Sequence, residues 1–151
     1  MPHPAAFSDI ADNLSYLDDW EDRYKYIIEL GQALPPLRED EKNAVNKVNG
    51  CVSQVWLVTE RDGDTLTYRG ESDAMIVRGL AAILIALYSG RPATEISETD
   101  ANAMLRGADL DLSQRTIEDI FDQGLHQFLM QFIATNRRLA DTIGQEYRFI
   151  A

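Results

Sequence analysis

One cysteine, two histidines and 14 basic residues are all that this 151-residue chain has of the types that most often carry chemistry or grip polyanions. A lone Cys51 excludes an intramolecular disulfide, and with it a zinc or iron–sulfur site built from this chain's own cysteines. The 14 Lys and Arg stand against 25 Asp and Glu, for a formal charge of −11. Such a charge repels the phosphates of nucleic acid and the anionic lipids of a membrane surface, so neither is expected as a partner. The longest apolar run, residues 80–88, is about half of the ~20 residues a membrane span takes, and reads as a buried helix. The start, Met1-Pro2-His3-Pro4-Ala5-Ala6, lacks the basic residues and apolar stretch of a secretory signal. A reducing cytoplasm is therefore the expected setting of the unpaired thiol. Glycines stand singly, so there is no phosphate-cradling loop, and neither His3 nor His126 has a ligand partner at metal-binding spacing.

What is present is patterned apolar sequence, 45% of the residues. Phe7, Ile10, Leu14 and Leu17 recur at spacings of three and four, which predicts a short first helix. Asp18, with Glu21 three residues on, reads as the N-cap of a second helix carrying Trp20, Tyr24, Ile27, Ile28 and Leu30 and ending at Gly31. Leu34-Pro35-Pro36-Leu37 blocks continuation. The polar run over residues 38–46 reads as a short exposed helix, with Glu39-Asp40-Glu41 solvated. Val52, Val55, Trp56, Leu57, Val58 and Thr59, then Asp62-Gly63-Asp64, then alternating Thr65 to Arg69 predict a β-hairpin. Lys47-Val48 suggests a third short strand, joined to the hairpin through Asn49-Gly50-Cys51.

Ser72 or Asp73 is the expected cap of a central helix with the face Ile76, Gly79, Leu80, Ile83 and Leu87, closed by Gly90 and Pro92. Helical pieces follow around residues 93–96 and 100–106, and a final helix from Ser113 bears Ile117, Phe121, Phe128, Phe132 and Ile133. No repeat or linker interrupts residues 1–151, so one α+β domain is expected, a small antiparallel three-stranded sheet packed against several helices.

Cys51 is the one residue with latent chemistry. A free cysteine is most often a small buried hydrophobe. Asn49-Gly50 instead sets this one beside a tight turn at the mouth of a strand, where a thiol can be sheltered and then swung outward. On these residues alone, inert and reactive readings both stand. No Lys or Arg is adjacent to it, and the net field of the acidic chain is expected to hold its pKa up. Trp56 reads as a core residue.

The ordered motifs Trp20-Glu21-Asp22-Arg23-Tyr24, Leu34-Pro35-Pro36-Leu37, Gly50-Cys51-Val52-Ser53-Gln54-Val55-Trp56, Tyr68-Arg69-Gly70-Glu71-Ser72-Asp73 and Leu87-Tyr88-Ser89-Gly90 resemble those of the SufE-type (SufE/CsdE) sulfur-acceptor family. The resemblance runs from about residue 14 to 115. It implies a SufE/IscU-like α+β fold, and a chain that is an accessory protein rather than an enzyme, with no cofactor or metal of its own. It implies that Cys51 accepts persulfide sulfur from a pyridoxal phosphate (PLP)-dependent cysteine desulfurase of the SufS or CsdA kind, stimulates that enzyme, and delivers sulfur to an iron–sulfur assembly scaffold. Gly50, Ser53 and Gln54 would then support the loop or touch the donor, with Asp73 and Arg115 near the docking surface. A monomer or weak dimer is the expected state. For Asp73 a helix N-cap is the competing role. From about residue 113 the chain departs from the family pattern. Leu112-Ser113-Gln114-Arg115-Thr116-Ile117 lacks the glycine step into the last helix. An alternative is a non-catalytic protein-binding module on the same fold. A cluster scaffold is disfavoured, because a cluster takes about four thiolate or imidazole ligands.

Overall fold

The computed structural model describes residues 6–47, 54–99, 103, 104 and 138. Helices α1 (Phe7–Ser15) and α2 (Trp20–Gln32) lead through a 3-10 turn (Glu39–Glu41) to strands β1 (Val55–Asp62) and β2 (Thr65–Ser72). Helix α3 (Met75–Tyr88), strand β3 (Arg91–Pro92) and helix α4 (Ala93–Glu98) follow. The sheet is antiparallel in the order β1-β2-β3, an α+β arrangement as expected.

Alternation along the hairpin decides what each face meets. Val55 pairs with Ser72, Leu57 with Gly70 and Thr59 with Tyr68, and this face lies on α3. The other face carries Trp56 opposite Glu71 and Val58 opposite Arg69. Helix α3 is apolar nearly all round because it is the centre of the core: Leu80, Ile83, Leu84, Leu87 and Tyr88 are all buried. Helix α2 packs on it so closely that an added Cβ at Gly31 would lie 2.6 Å from the amide nitrogen of Gly79. Phe7, Ile10 and Leu14 of α1 close the same core.

Several expectations shift. Asp19, not Asp18, caps α2, accepting the Asp22 amide at 2.8 Å. The two acids offer the same oxygen, and the later one is at the distance from Asp22 that a cap requires. The polar run after Arg38 forms one 3-10 turn instead of an exposed helix, and Glu41 within it is buried. The third strand is Arg91–Pro92 on the free edge of β2, while Lys47 makes only an isolated bridge to Trp56 on the edge of β1. Neither Ser72 nor Asp73 caps α3, whose N-cap residue, Ala74, has no side-chain cap. The helical piece near residue 93 is α4, and of the next piece Ala103 and Met104 are helical. Val48, Val52 and the final helix from Ser113 lie outside the described residues. Among the described residues no helix is long and apolar enough to cross a membrane.

Candidate functional site

The chain enters the segment that carries Cys51 at Lys47 and leaves it at Gln54, and both ends are held. On the entry side, Asn46 donates to the Glu41 carbonyl at 2.9 Å and accepts the Leu57 amide at 2.8 Å, which lays Lys47 against Trp56. On the exit side, the Gln54 amide donates to Asp73 Oδ1 at 3.0 Å. The Gln54 carbonyl accepts the Asp73 amide at 3.2 Å and Ser72 Oγ at 2.8 Å. This reciprocal clasp is what Asp73 does in place of capping α3. Cys51, Gly50, Ser53 and Arg115 lie outside the described residues, as do His3 and His126. Of the expected site residues, the structure thus brings Gln54 and Asp73 together.

An ion-pair network on the outer sheet face secures the entry side, and the sequence reading missed it. Glu41 takes both ends of the Arg69 guanidinium, at 3.0 and 2.6 Å, and Arg69 also reaches Glu60 at 2.8 Å. Lys42 pairs with Glu39 at 3.2 Å and Glu71 at 3.4 Å, and stands 5.8 Å from the ring centre of Trp56. Trp56 is therefore a half-covered platform on the outer face, not a core residue. The only early sign was the alternation that puts Trp56, Arg69 and Glu71 on one face.

The Arg69 guanidinium, with the Arg38 amide second, holds the Glu41 carboxyl down to about 2. A carboxylate whose folded pKa is depressed adds stability above its unfolded value, and that stability is lost as pH falls through the folded one. The unfolding midpoint should accordingly drop as pH goes from about 5 towards 2. Glu41→Gln should be less stable at neutral pH and show a flatter acid limb, measured by urea melts at stepped pH. An unchanged acid limb in the variant would show that Glu41 does not carry the acid sensitivity.

Beside the clasp is a cavity of 370 Å³ lined by Ile28 and Gln32 of α2, Ser72, Asp73, Met75 and Arg78. Met75 is 61% exposed, unusual for a large apolar side chain. Among the described residues no three His, Cys, Asp or Glu side chains converge to hold a metal ion.

Comparison with known proteins bears on the same residues. The protein-family model described as "SufE: Fe-S metabolism associated domain" matches residues 8–132. An uncharacterized SufE-like protein of Rhizobium etli is 55% identical over 101 residues, 64% of this chain and 68% of the relative. An uncharacterized SufE-like protein of Rhizobium meliloti is 55% identical over 96 residues, 61% of this chain and 69% of the relative. The solution structure of a hypothetical protein from Thermus thermophilus superposes with a TM-score of 0.60 at 16% identity, covering 91% of this chain and 97% of that one, a shared fold. With the family match spanning the helices, the hairpin and the clasp alike, this chain belongs to the SufE family of domains associated with Fe–S metabolism.

Proposed function

We propose that the chain is a sulfur acceptor and carrier, taking persulfide sulfur from a PLP-dependent cysteine desulfurase onto Cys51 and delivering it for iron–sulfur cluster assembly. The observation that carries this reading is that the chain's one cysteine falls between two fixed anchors, Lys47 and Gln54, within the family match. The Cys51 thiolate attacks the terminal sulfur of the donor persulfide. A new S–S bond forms on Cys51, the donor's S–S bond breaks, and the electron pair leaves with the desulfurase thiolate. No external oxidant or reductant is consumed. A single thiol suits a carrier, because a second one nearby would expel the sulfur and close a disulfide.

A thiol of pKa ~8.5 is only a few per cent ionised at neutrality, so the desulfurase supplies the activation. Gly50 and Ser53 support the loop in this reading, Gln54 and Asp73 hold its exit, and Arg115 meets the partner. We assign desulfurase docking to the surface around Asp73, where exposed Met75 and the adjoining cavity offer an apolar contact. The setting is the cytoplasm.

Incubation with a cysteine desulfurase and free cysteine should raise the intact mass by about 32 Da, one sulfur atom, as the thiol-to-persulfide step requires. The adduct should map to the peptide containing Cys51, vanish on reduction, and be absent from Cys51→Ala. No adduct on the wild type, or the same adduct on Cys51→Ala, would overturn the assignment.

A further inference from the structure

We propose that Asn46, held in turn by Asn43, is a positioning residue for sulfur transfer: it fixes where the Cys51 segment begins, and so where the thiol can reach. This rests on the sulfur-acceptor reading above, and it names a residue that acts through Cys51 without touching the donor. Asn46 is half-buried between Val45, which is 93% exposed, and the exposed Lys47. None of residues 42–47 belongs to the hydrophobic core cluster, so the polar side chain tied down here is not needed to fill it.

Three groups of Asn46 are engaged. Its Nδ2 donates to the Glu41 carbonyl at 2.9 Å, its backbone amide donates to Asn43 Oδ1 at 3.0 Å, and its carbonyl accepts the Leu57 amide at 2.8 Å. Asn43 is itself fixed, its Nδ2 donating to the Asp40 carbonyl at 3.0 Å. Both asparagine side chains thus bind backbone of the 3-10 turn, Glu39–Glu41. That turn is tied to the sheet in its own right, because the Glu41 carboxylate takes the Arg69 guanidinium at 3.0 and 2.6 Å. A continuous line of bonds therefore runs from β2 through the turn to Asn46 and on to β1. It ends in the bridge of Lys47 to Trp56, the last described residue before Cys51.

The consequence is one of reach. Gln54, fixed by its clasp with Asp73, is seven residues after Lys47. Without the two asparagine side chains, the last firmly held residue before Cys51 is Glu41, thirteen residues before Gln54. On chain entropy alone, the longer span makes any one thiol position about 2.5-fold rarer. Lost orientation of the sulfur at the donor adds to that. Neither asparagine carries charge, so the bonds leave the thiol's ionisation as it is. Asn46 therefore governs the rate of attack, while affinity for the desulfurase stays with the surface around Met75.

The test follows single-turnover gain of one sulfur by intact mass, with a persulfide-loaded cysteine desulfurase titrated to saturation. Asn46→Leu keeps the shape and drops the donor, and should slow the saturating rate about threefold. Asn43→Ala combined with Asn46→Leu should slow it about tenfold. The desulfurase concentration that gives half the saturating rate should stay within about twofold of wild type. The pH profile of Cys51 alkylation by iodoacetamide should keep its midpoint in both variants, since no charge is added or removed. Val45→Ser, in the same stretch, should transfer like wild type. An unchanged saturating rate in the double variant, a loss seen only in the half-saturating concentration, or an equal loss in Val45→Ser would overturn the proposal. So would loss of the fold in either asparagine variant by circular dichroism, which would make the role structural. Each of these leaves the sulfur-acceptor reading standing, whereas a wild type that gains no sulfur would overturn both.

Discussion

Gly79→Ala should destabilise the fold by about 3 kcal/mol or more, the upper end of overpacking effects. The sign runs against propensity, because alanine in a helix interior is intrinsically favoured over glycine by about 1 kcal/mol. Here the new methyl has nowhere to go. A Cβ at Gly79 would fall on the carbonyl oxygen of Ile27, within 2.7 Å of both its carbonyl carbon and its Cγ2. Two of those three atoms are α2 backbone, which cannot rotate aside as a side chain can. The helices must separate, and separation opens gaps around Ile27, Leu80 and Ile83, all buried in the one core.

Gly31→Ala meets the same contact from the other side, 2.6 Å from the Gly79 nitrogen, and should act in the same direction. Two other glycines serve as contrasts. At Gly70 the nearest atom is Ile85 Cδ1 at 3.3 Å, the end of a flexible side chain, so alanine there should cost under about 1 kcal/mol. Gly90 has open space but a φ of +79°, so alanine should cost about 1–2 kcal/mol from backbone strain alone. Urea unfolding with the m-value compared across variants measures all four. A Gly79→Ala protein as stable as wild type would mean that α2 and α3 do not meet at these glycines.

That pair of glycines also marks where reading the chain segment by segment stops working. The apolar spacing of α1 and α3 and the hairpin around Gly63 announce themselves locally, because periodicity and turn residues are properties of a few consecutive positions. Gly31 looks like a helix end and Gly79 like one position on a face; that they touch depends on how two helices cross. Glu41 looks solvated within an acidic run because Arg69, which neutralises it, lies 28 residues away on another strand. Arg91–Pro92 carries no strand signal of its own, and two residues pair only because β2 presents a free edge. The site divides the same way. Cys51 is conspicuous as the sole thiol in a motif, and Gln54 and Asp73 draw notice beside it. The bonds joining those two span 19 residues and favour a clasp over the local cap that an aspartate before a helix suggests.

Arg78→Met, at similar volume, should cost about 3 kcal/mol and loosen the same helix pair from its polar side. The guanidinium donates from Nε to the Gly31 carbonyl at 2.7 Å and from Nη2 to the Leu34 carbonyl at 2.8 Å. A side chain of α3 thus adds a second donor to the Gly31 carbonyl in the last turn of α2, which also accepts the Leu34 amide at 3.1 Å, and supplies one to the Leu34 carbonyl just past that helix. Its third contact is Glu71 Oε1 at 3.4 Å, with the Glu71 side chain 13% exposed. Methionine fills the space but removes the donor to the Leu34 carbonyl and one of two donors to the Gly31 carbonyl, which keeps the Leu34 amide at 3.1 Å, and it leaves Glu71 charged. Glu71 keeps Lys42 and the Leu37 amide, at 3.4 and 3.0 Å, so its charge is not wholly stranded. This places the cost below the upper range for breaking a buried pair.

Arg78→Lys should recover less than half the loss, because one ammonium cannot reach two carbonyls and a carboxylate in the directions that a planar fork does. Glu71→Gln combined with Arg78→Met should cost less than the sum of the two singly, since a neutral amide in place of the carboxylate no longer lacks a cationic partner. Strict additivity in that cycle, or full stability of Arg78→Lys, would show that Arg78 acts only as a space-filling stem, with the end of α2 held by other contacts.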